Sequence, residues 1–267
     1  MSGSRAFRAL LVLALACVLA FLLAPVVAIF THTSPAQLVR ALGDASARDA
    51  LWLSLRTTAL ALAIVVVAGT PAAYLLATRA FRGRAVVQTL IELPLVLPPA
   101  AAGIGLLAAL GPHGLLGGVL RDAHVELVLQ TAGVVVALVF VASPFYLRAA
   151  EAAFGAVPPN VLGAARTLGS DEAGAFARVA IPSARAGLLA GAALAWARAL
   201  GEFGATLMFA GSLRGVTQTV PLAIYDRFAT DLPGALALSA VLVVVSFALL
   251  LAVKLATGLG ALGVAAR

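Results

Sequence analysis

Apolar residues dominate six stretches of the sequence, and shorter polar stretches separate them. A hydrocarbon core of about 30 Å needs about 20 residues of helix, so each stretch is long enough to cross a bilayer. The pattern predicts six transmembrane helices, near residues 9–30, 51–76, 88–110, 127–147, 186–210 and 236–257. The first run is longer than the apolar part of a secretory signal peptide, which favours a helix that stays in the membrane.

The composition agrees with a membrane-embedded chain. Of the 267 residues, 63% are hydrophobic and 11% are charged, whereas soluble domains carry about 25% charged residues. We therefore predict an all-α integral membrane protein with a single transmembrane domain over residues 1–267. The one cysteine, Cys17, lies in the first apolar run and cannot form an intrachain disulfide.

The placement of basic residues predicts the orientation, because cytoplasmic loops carry an excess of lysine and arginine. With a cytoplasmic N-terminus, the cytoplasmic side holds Arg5, Arg8, Arg79, Arg82, Arg84, Arg148, Arg166, Arg178, Arg185, Lys254 and Arg267. The outer side holds only Arg40, Arg48, Arg121, Arg214 and Arg227. We predict a multi-pass protein of the cytoplasmic membrane with both termini in the cytoplasm. The net charge of +7 reflects this topology, and no basic run with interleaved aromatics indicates nucleic-acid binding.

The longest cytoplasmic loop, residues 148–185, joins predicted helices four and five. A short helix is expected to start at Asn160, after two prolines, and Gly169 is suited to end it in a left-handed conformation. Ser170 is placed to cap a second short helix. One face of the first short helix, by its i, i+4, i+7 spacing, holds Val161, Ala165 and Leu168.

This loop resembles the cytoplasmic loop of importer permeases of the ABC transporter superfamily. The family motif reads Glu-Ala-Ala, three residues, Gly, nine residues and Ile-x-Leu-Pro. The matching positions here, in motif order, are Gly163, Ala164, Ala165, Gly169, Val179, Ile181 and Pro182. Gly163 stands where the family has glutamate, and the run that begins at Glu151 has the wrong spacing. The resemblance implies that the loop, including Asn160 and Leu168, holds a coupling helix that docks on an ATPase subunit.

Two further stretches resemble molybdate transporter permeases. They are ELPLVLPPAAAG, Glu92–Gly103, and ARALGEFGATLMFAGSLRGVTQTVPLAIYDRF, Ala197–Phe228. The resemblance implies the permease subunit of an ATP-driven molybdate importer, with tungstate or sulfate as alternative substrates. It also implies the partners, which are a second copy of the chain, two ATP-binding subunits, an extracytoplasmic oxyanion-binding protein and the lipid bilayer.

The chain itself is predicted to be neither an enzyme nor a cofactor-binding protein. A phosphate-binding loop needs Gly-Lys followed by Ser or Thr, but the only lysine, Lys254, follows Val253. ATP is therefore expected to be used by a partner subunit. No metal site is expected, because His32, His113 and His124 lie in separate loops without the spacing of metal ligands.

Two charges lie within the fifth apolar stretch. A charge at the bilayer centre costs about 2.5–3.5 kcal/mol on insertion scales. Arg198 and Glu202 are four residues apart, so on one helix they can neutralise each other, and Thr206 continues the same face. Two interpretations remain open at this point. The face lines or gates a translocation path, or it locks this helix to a neighbour.

The third apolar stretch is a second candidate for the path. Pro94, Pro98 and Pro99 each remove a backbone donor, and broken helices are tolerated in a membrane only where they are buried or line a cavity. Gly187 and Gly191 have the G-x-x-x-G spacing that allows close helix approach.

Two other classes of protein remain as alternatives. In a self-contained secondary transporter, Arg198 and Glu202 would form the ion-coupled site, but the sequence shows no clear repeat. A membrane scaffold or a membrane-embedded enzyme is the other alternative, and no cluster of nucleophile and base favours the enzyme.

Overall fold

The computed structural model describes the backbone of residues 2–264 and the side chains of residues 7–252 and 255. Arg5, Lys254 and Arg267, which contribute to the predicted orientation, lie outside the described side chains. The helices are α1 (Ser2–Thr31), α2 (Pro35–Gly43), α3 (Ala45–Thr78), α4 (Arg84–Val96), α5 (Pro99–Leu110), α6 (Gly117–Asp122), α7 (Thr131–Gly155), α8 (Pro159–Thr167), α9 (Glu172–Ala175), a π-helix (Phe176–Ala180), α10 (Ile181–Leu200), α11 (Gly204–Ala210), α12 (Val220–Phe228) and α13 (Leu232–Val264).

Within the residues that the structure describes, five helical runs are long and apolar enough to cross a membrane. They are Phe7–Thr31, Ala45–Thr78, Thr131–Gly155, Glu172–Leu200 and Leu232–Ala252. The remaining predicted span, residues 88–110, is the pair α4 and α5, between which the chain bends by 116°. Counted as one broken span, this pair brings the number to six, so the prediction of an all-α membrane protein with about six spans is confirmed.

The fourth predicted helix continues further than its apolar pattern indicates. α7 ends at Gly155 rather than near residue 147, because the stretch after Leu147 is rich in alanine, the strongest helix former. Arg148 and Glu151 also pair with α4 side chains. The connection that follows is correspondingly shorter than the predicted loop 148–185.

The fifth predicted helix, residues 186–210, is wrong at both ends. The helical run begins at Glu172 and passes through the π-helix into α10, which ends at Leu200. Gly201 is the C-cap of α10, and a separate short helix, α11, begins at Gly204. Hydropathy gives no sign of this break, because the residues on both sides of it are apolar.

The central core packs α3, α7 and α10 together through small residues. A Cβ atom on Gly69 would lie 2.8 Å from the Tyr146 ring, and one on Gly191 would lie 2.7 Å from the Ala149 Cβ. Gly187 makes a similar close approach to α7, so the predicted G-x-x-x-G pair does face a neighbouring helix. Between α3 and α7, the hydroxyls of Thr70 and Tyr146 are 2.6 Å apart and hydrogen-bonded.

Short helices cover the end of the molecule opposite α8. α2 begins with a capping box in which the Ser34 hydroxyl accepts from the Gln37 amide, at 3.3 Å, while the Ser34 amide donates to the Gln37 side chain, at 2.7 Å. Asp44 joins α2 to α3 and pairs with Arg227 of α12. The hydrogen bond from Arg227 holds the pKa of the Asp44 carboxyl below its usual range, although partial burial opposes the shift.

Candidate functional site

Two breaks in the membrane helices lie side by side. The first, at Leu97 and Pro98, separates α4 from α5, and the second, at residues 201–203, separates α10 from α11. A Cβ atom on Gly204, the first residue of α11, would lie 2.8 Å from the Pro99 Cβ. The structure thus brings together the two stretches that the sequence singled out separately. We call this region the paired breaks.

The first break follows from the local chemistry of two successive prolines. Pro98 has no amide hydrogen, and a proline forces the preceding residue out of the helical region. Leu97 and Pro98 are accordingly extended, with ψ values of 130° and 136°. Pro99 then occupies the first position of α5, where a missing amide hydrogen costs nothing. Pro94 lies inside α4, one turn before the break.

Glu202 and Arg198 form the predicted ion pair, with 2.6 Å between the Arg198 Nη2 and the Glu202 Oε2. The other carboxylate oxygen, Oε1, accepts a hydrogen bond of 2.7 Å from the Ala205 amide. The Glu202 side chain is 1% exposed and the Arg198 side chain 27%. Glu202 therefore joins the last turn of α10 to the first turn of α11.

Thr206 does not continue a single helix face with this pair, because α10 ends at Leu200. It lies in the first turns of α11 and is fully buried. Its hydroxyl has no hydrogen-bond partner among the described residues. An unsatisfied buried hydroxyl costs about 1–3 kcal/mol. The Thr206 hydroxyl is therefore a free hydrogen-bonding group within the paired breaks, among the described residues.

The packing between α5 and α11 leaves no room for a side chain at Gly103. A Cβ atom on Gly103 would lie 2.7 Å from both the Ala205 carbonyl oxygen and the Met208 Cβ. Apolar side chains that line this contact and its junction with α7 include Ala102, Leu106, Ala137, Val141, Ala205 and Phe209. The two half-helices therefore form one close-packed unit against α7.

The residues of the family motif lie in the connection between α7 and α10 and in the first turn of α10. We call this connection, residues 156–180, the α8–α9 segment. Asn160, Gly163, Ala164 and Ala165 lie in α8, Leu168 is its C-cap, Val179 lies in the π-helix, and Ile181 and Pro182 begin α10. Gly169 has φ of +85°, as the turn prediction requires. Asp171 rather than Ser170 caps α9, because the Asp171 carboxylate accepts from the Gly174 amide at 2.8 Å.

The α8–α9 segment exposes apolar side chains at its turn. Leu168 is 87% exposed and Val161 38%, whereas Leu162, on the other side of α8, is 9% exposed and packs into the core. α8 thus buries one apolar residue against its own chain and presents others outward.

A network of ion pairs near the α8–α9 segment was missed at the sequence level. The Glu151 carboxylate accepts from Arg84, at 3.1 Å, and from Gln88, at 2.6 Å. Further pairs join Arg148 to Glu92 and Arg79 to Glu172. Together they connect α4 to α7, and the end of α3 to α9. The available sequence signal was the position of Glu92 and Glu151 near predicted helix ends, in a chain with only 11 acidic residues.

The chemistry of this arrangement is that of binding and conformational change. Within the described part of the chain, no group of three or more His, Cys, Asp or Glu side chains is placed to hold a metal ion. The Glu202 carboxylate is neutralised by Arg198 and is almost fully buried, so it is not available to a ligand. Arg198, whose guanidinium carries five donors, lies in the last turn of α10, beside the second break.

Comparisons with known proteins agree with this geometry. A family model described as a binding-protein-dependent transport system inner membrane component matches residues 66–258. The molybdenum transport system permease protein ModB of Mycobacterium tuberculosis is 41% identical over 242 residues, which cover 90% of this chain and 91% of that protein. The sulfate transport system permease protein CysW of Synechocystis is 33% identical over 247 residues, covering 90% of each.

A solved structure shares the fold. One chain of a bacterial alginate ABC transporter, in complex with an alginate pentasaccharide-bound periplasmic protein, aligns with a TM-score of 0.73. The alignment covers 93% of this chain and 92% of that chain at 16% sequence identity. The helical arrangement is therefore similar, although most of the side chains differ.

Proposed function

This chain belongs to the family of binding-protein-dependent transport system inner membrane components, and from that premise we propose that it is the permease subunit of an ATP-driven molybdate importer. The assignment of molybdate as the substrate rests on the 41% identity to a molybdenum transport permease over 90% of the chain. The sulfate permease is less similar, at 33%. Tungstate, which has the same charge and shape as molybdate, is the second candidate substrate.

ATP is bound and hydrolysed by separate subunits. The sequence has no phosphate-binding loop, because its only lysine is not preceded by glycine. Two ATPase subunits, a second copy of this chain and an extracytoplasmic binding protein complete the importer. The family description itself names dependence on a binding protein, which disfavours the alternative of a self-contained secondary transporter.

The α8–α9 segment is the docking site for the ATPase on the cytoplasmic side. Its turn at Gly169 presents Leu168, which is 87% exposed, and an exposed leucine of this kind is available for burial in a partner groove. This assignment places the α8 end of the molecule in the cytoplasm and the α2 and α12 end outside, with both termini cytoplasmic.

The paired breaks form part of the translocation path or its gate. Broken membrane helices are tolerated where they are buried in protein or line a cavity, and here two of them pack against each other. The oxyanion passes between two copies of the chain as the cavity alternates between outward and inward access. Glu202 holds α10 to α11 rather than binding substrate, because both of its oxygens have partners in the chain.

The proposal is tested by reconstituting the purified chain with its ATPase subunit in liposomes and adding the binding protein to the outer solution. We expect ATP-dependent uptake of radioactive molybdate, with tungstate as a strong competitor and sulfate as a weak one. Molybdate uptake without ATP, or molybdate uptake that sulfate inhibits more strongly than tungstate does, would contradict the assignment.

A further inference from the structure

Three aromatic rings meet where the α8–α9 segment joins the membrane helices. Tyr74 of α3 packs edge-to-face on Phe154 of α7, with 5.3 Å between ring centroids. Phe176, the first residue of the π-helix, lies 4.8 Å from Tyr74 and 6.2 Å from Phe154. We call this contact the aromatic junction. Each ring belongs to a different element, so no two of these elements can move apart without separating a ring pair.

An ion pair supports the aromatic junction on its exposed side. Arg79, the C-cap of α3, pairs with Glu172, the first residue of α9. Both side chains are more than half exposed, and exposed pairs contribute little to stability. The pair therefore orients the end of α3 relative to α9, whereas the rings, of which Phe154 is buried and Tyr74 and Phe176 are partly buried, provide the packed contact.

The structure leaves space for the junction to change its arrangement. A cavity of about 440 Å³ lies between α3 and the α8–α9 segment, and both Tyr74 and Phe176 line it. The Tyr74 hydroxyl is buried and has no hydrogen-bond partner among the described residues. A π-helix, which is uncommon and often marks a functional site, begins at Phe176. Tyr74 and Phe176 therefore border open space into which their rings could move.

The junction is connected to the paired breaks by continuous packing. Phe154 lies in α7 and is 2% exposed. The same helix contributes Ala137 and Val141 to the core that holds α5 and α11. Chains of packed side chains and rigid helices can carry coupling between distant sites, and α7 extends from the junction to the core that holds the paired breaks.

We propose that Tyr74, Phe154 and Phe176, supported by the Arg79–Glu172 pair, are positioning residues that transmit movement of the α8–α9 segment to α3 and α7. The inference rests on the proposed function, because it assigns a route by which ATPase closure reaches the path. It concerns coupling, not substrate binding, so these side chains need not contact the oxyanion.

The first test measures oxyanion imported per ATP hydrolysed by the complete importer in liposomes. In the Phe176→Leu variant we expect this ratio to fall roughly tenfold, within the range of ordinary coupling energies, while ATP hydrolysis continues. Tyr74→Phe keeps the ring and removes the unsatisfied hydroxyl, so it should preserve the ratio. If Phe176→Leu keeps the wild-type ratio, the inference is wrong.

The ion pair is tested by exchanging its charges. Arg79→Glu alone places two carboxylates together and should lower the ratio about threefold, as expected for an exposed pair. Adding Glu172→Arg should restore it. The matched control is Arg148→Glu, which breaks the pair with Glu92 of α4 and leaves the α8–α9 segment untouched. An equal effect of the control variant would overturn the role of the Arg79 pair.

A second readout does not depend on which oxyanion is carried. Spin labels at Thr78→Cys and Ala173→Cys, in a chain with Cys17→Ser, report the distance across the cavity in the complex with the ATPase. We expect ATP to change this distance in the otherwise wild-type chain and to change it less in Phe176→Leu. An unchanged distance on ATP addition would overturn the inference, whereas failure of molybdate uptake alone would count only against the substrate assignment.

Discussion

Glu202 uses both of its carboxylate oxygens within its own chain. One oxygen neutralises Arg198 and the other satisfies the Ala205 amide at the start of α11. A buried charge is tolerated when it is paired and hydrogen-bonded, and removal of one partner leaves the other uncompensated. At the residue scale, therefore, Glu202 stabilises a break between two helices rather than offering a free charge.

Replacement of Glu202 by glutamine should separate these two contacts. The side-chain oxygen of Glu202→Gln can still accept from the Ala205 amide. The glutamine is neutral, however, so Arg198 loses its counter-ion. We expect about 1–3 kcal/mol of lost stability, seen as a lower unfolding temperature in detergent, together with reduced uptake. Glu92→Gln is the matched control, because that carboxylate is 36% exposed. Equal unfolding temperatures for the two variants would contradict the role of Glu202 in holding α10 to α11.

Two glycines of the α8–α9 segment should respond in opposite directions to the same change. Neither has an atom within 4 Å of an added Cβ, but only Gly169 has a positive φ, of +85°. Gly169→Ala should cost about 1–2 kcal/mol, because a Cβ atom is disfavoured in the left-handed region. Gly163→Ala should stabilise α8 by about 0.5–1 kcal/mol.

Hydrogen exchange of the α8–α9 segment measures this pair of variants. We expect faster exchange in Gly169→Ala and slower exchange in Gly163→Ala. Similar exchange in both would show that the turn does not require the left-handed residue. Gly163 stands at the motif position of glutamate, and a Cβ atom there would meet no atom within 4 Å. The structure therefore has space for a side chain at this position.

At the element scale, the close contact of α5 with α11 depends on a glycine. Gly103→Ala would place a Cβ atom 2.7 Å from a backbone oxygen of α11, which cannot move away as a flexible side chain would. We expect a loss of about 1–3 kcal/mol from overpacking. Gly105→Ala, two residues away on the same helix, meets no atom within 4 Å and is the control.

The measurement for this pair is the unfolding temperature in detergent, followed by uptake in liposomes. Gly103→Ala should unfold several degrees lower and transport less, whereas Gly105→Ala should match the wild-type chain or exceed it. If both variants behave alike, the packing of the half-helices does not control stability or transport.

Hydropathy predicted the spans well because lipid exposure demands long apolar runs, as in α1 and α13. It missed α2, α6 and α12 because short helices of this kind are fixed by contacts such as Asp44 with Arg227, which connect residues far apart in the sequence. It also missed the break at Gly201, because a hydrogen bond from Ala205 to Glu202, rather than a change in polarity, defines it. The spacing of Arg198 and Glu202 did predict their pairing.

At the scale of the whole molecule, a continuous packed route through α7 connects the α8–α9 segment to the paired breaks. The segment contacts α3 and α7 at the aromatic junction, and α7 packs against α5 and α11. The sequence indicated the two regions that this route connects, the first from the loop motif and the second from the intramembrane charges Arg198 and Glu202. The connection between them required the structure, because ring contacts between distant elements leave no local pattern.

The most direct test of the central claim is elemental analysis of cells with and without this chain. Cells lacking other importers of these ions are grown with nanomolar molybdate and tungstate and limiting sulfate, and cellular molybdenum, tungsten and sulfur are measured by mass spectrometry. A molybdate permease predicts that loss of the chain lowers molybdenum and leaves sulfur unchanged. Unchanged molybdenum in cells that have lost the chain would contradict the account.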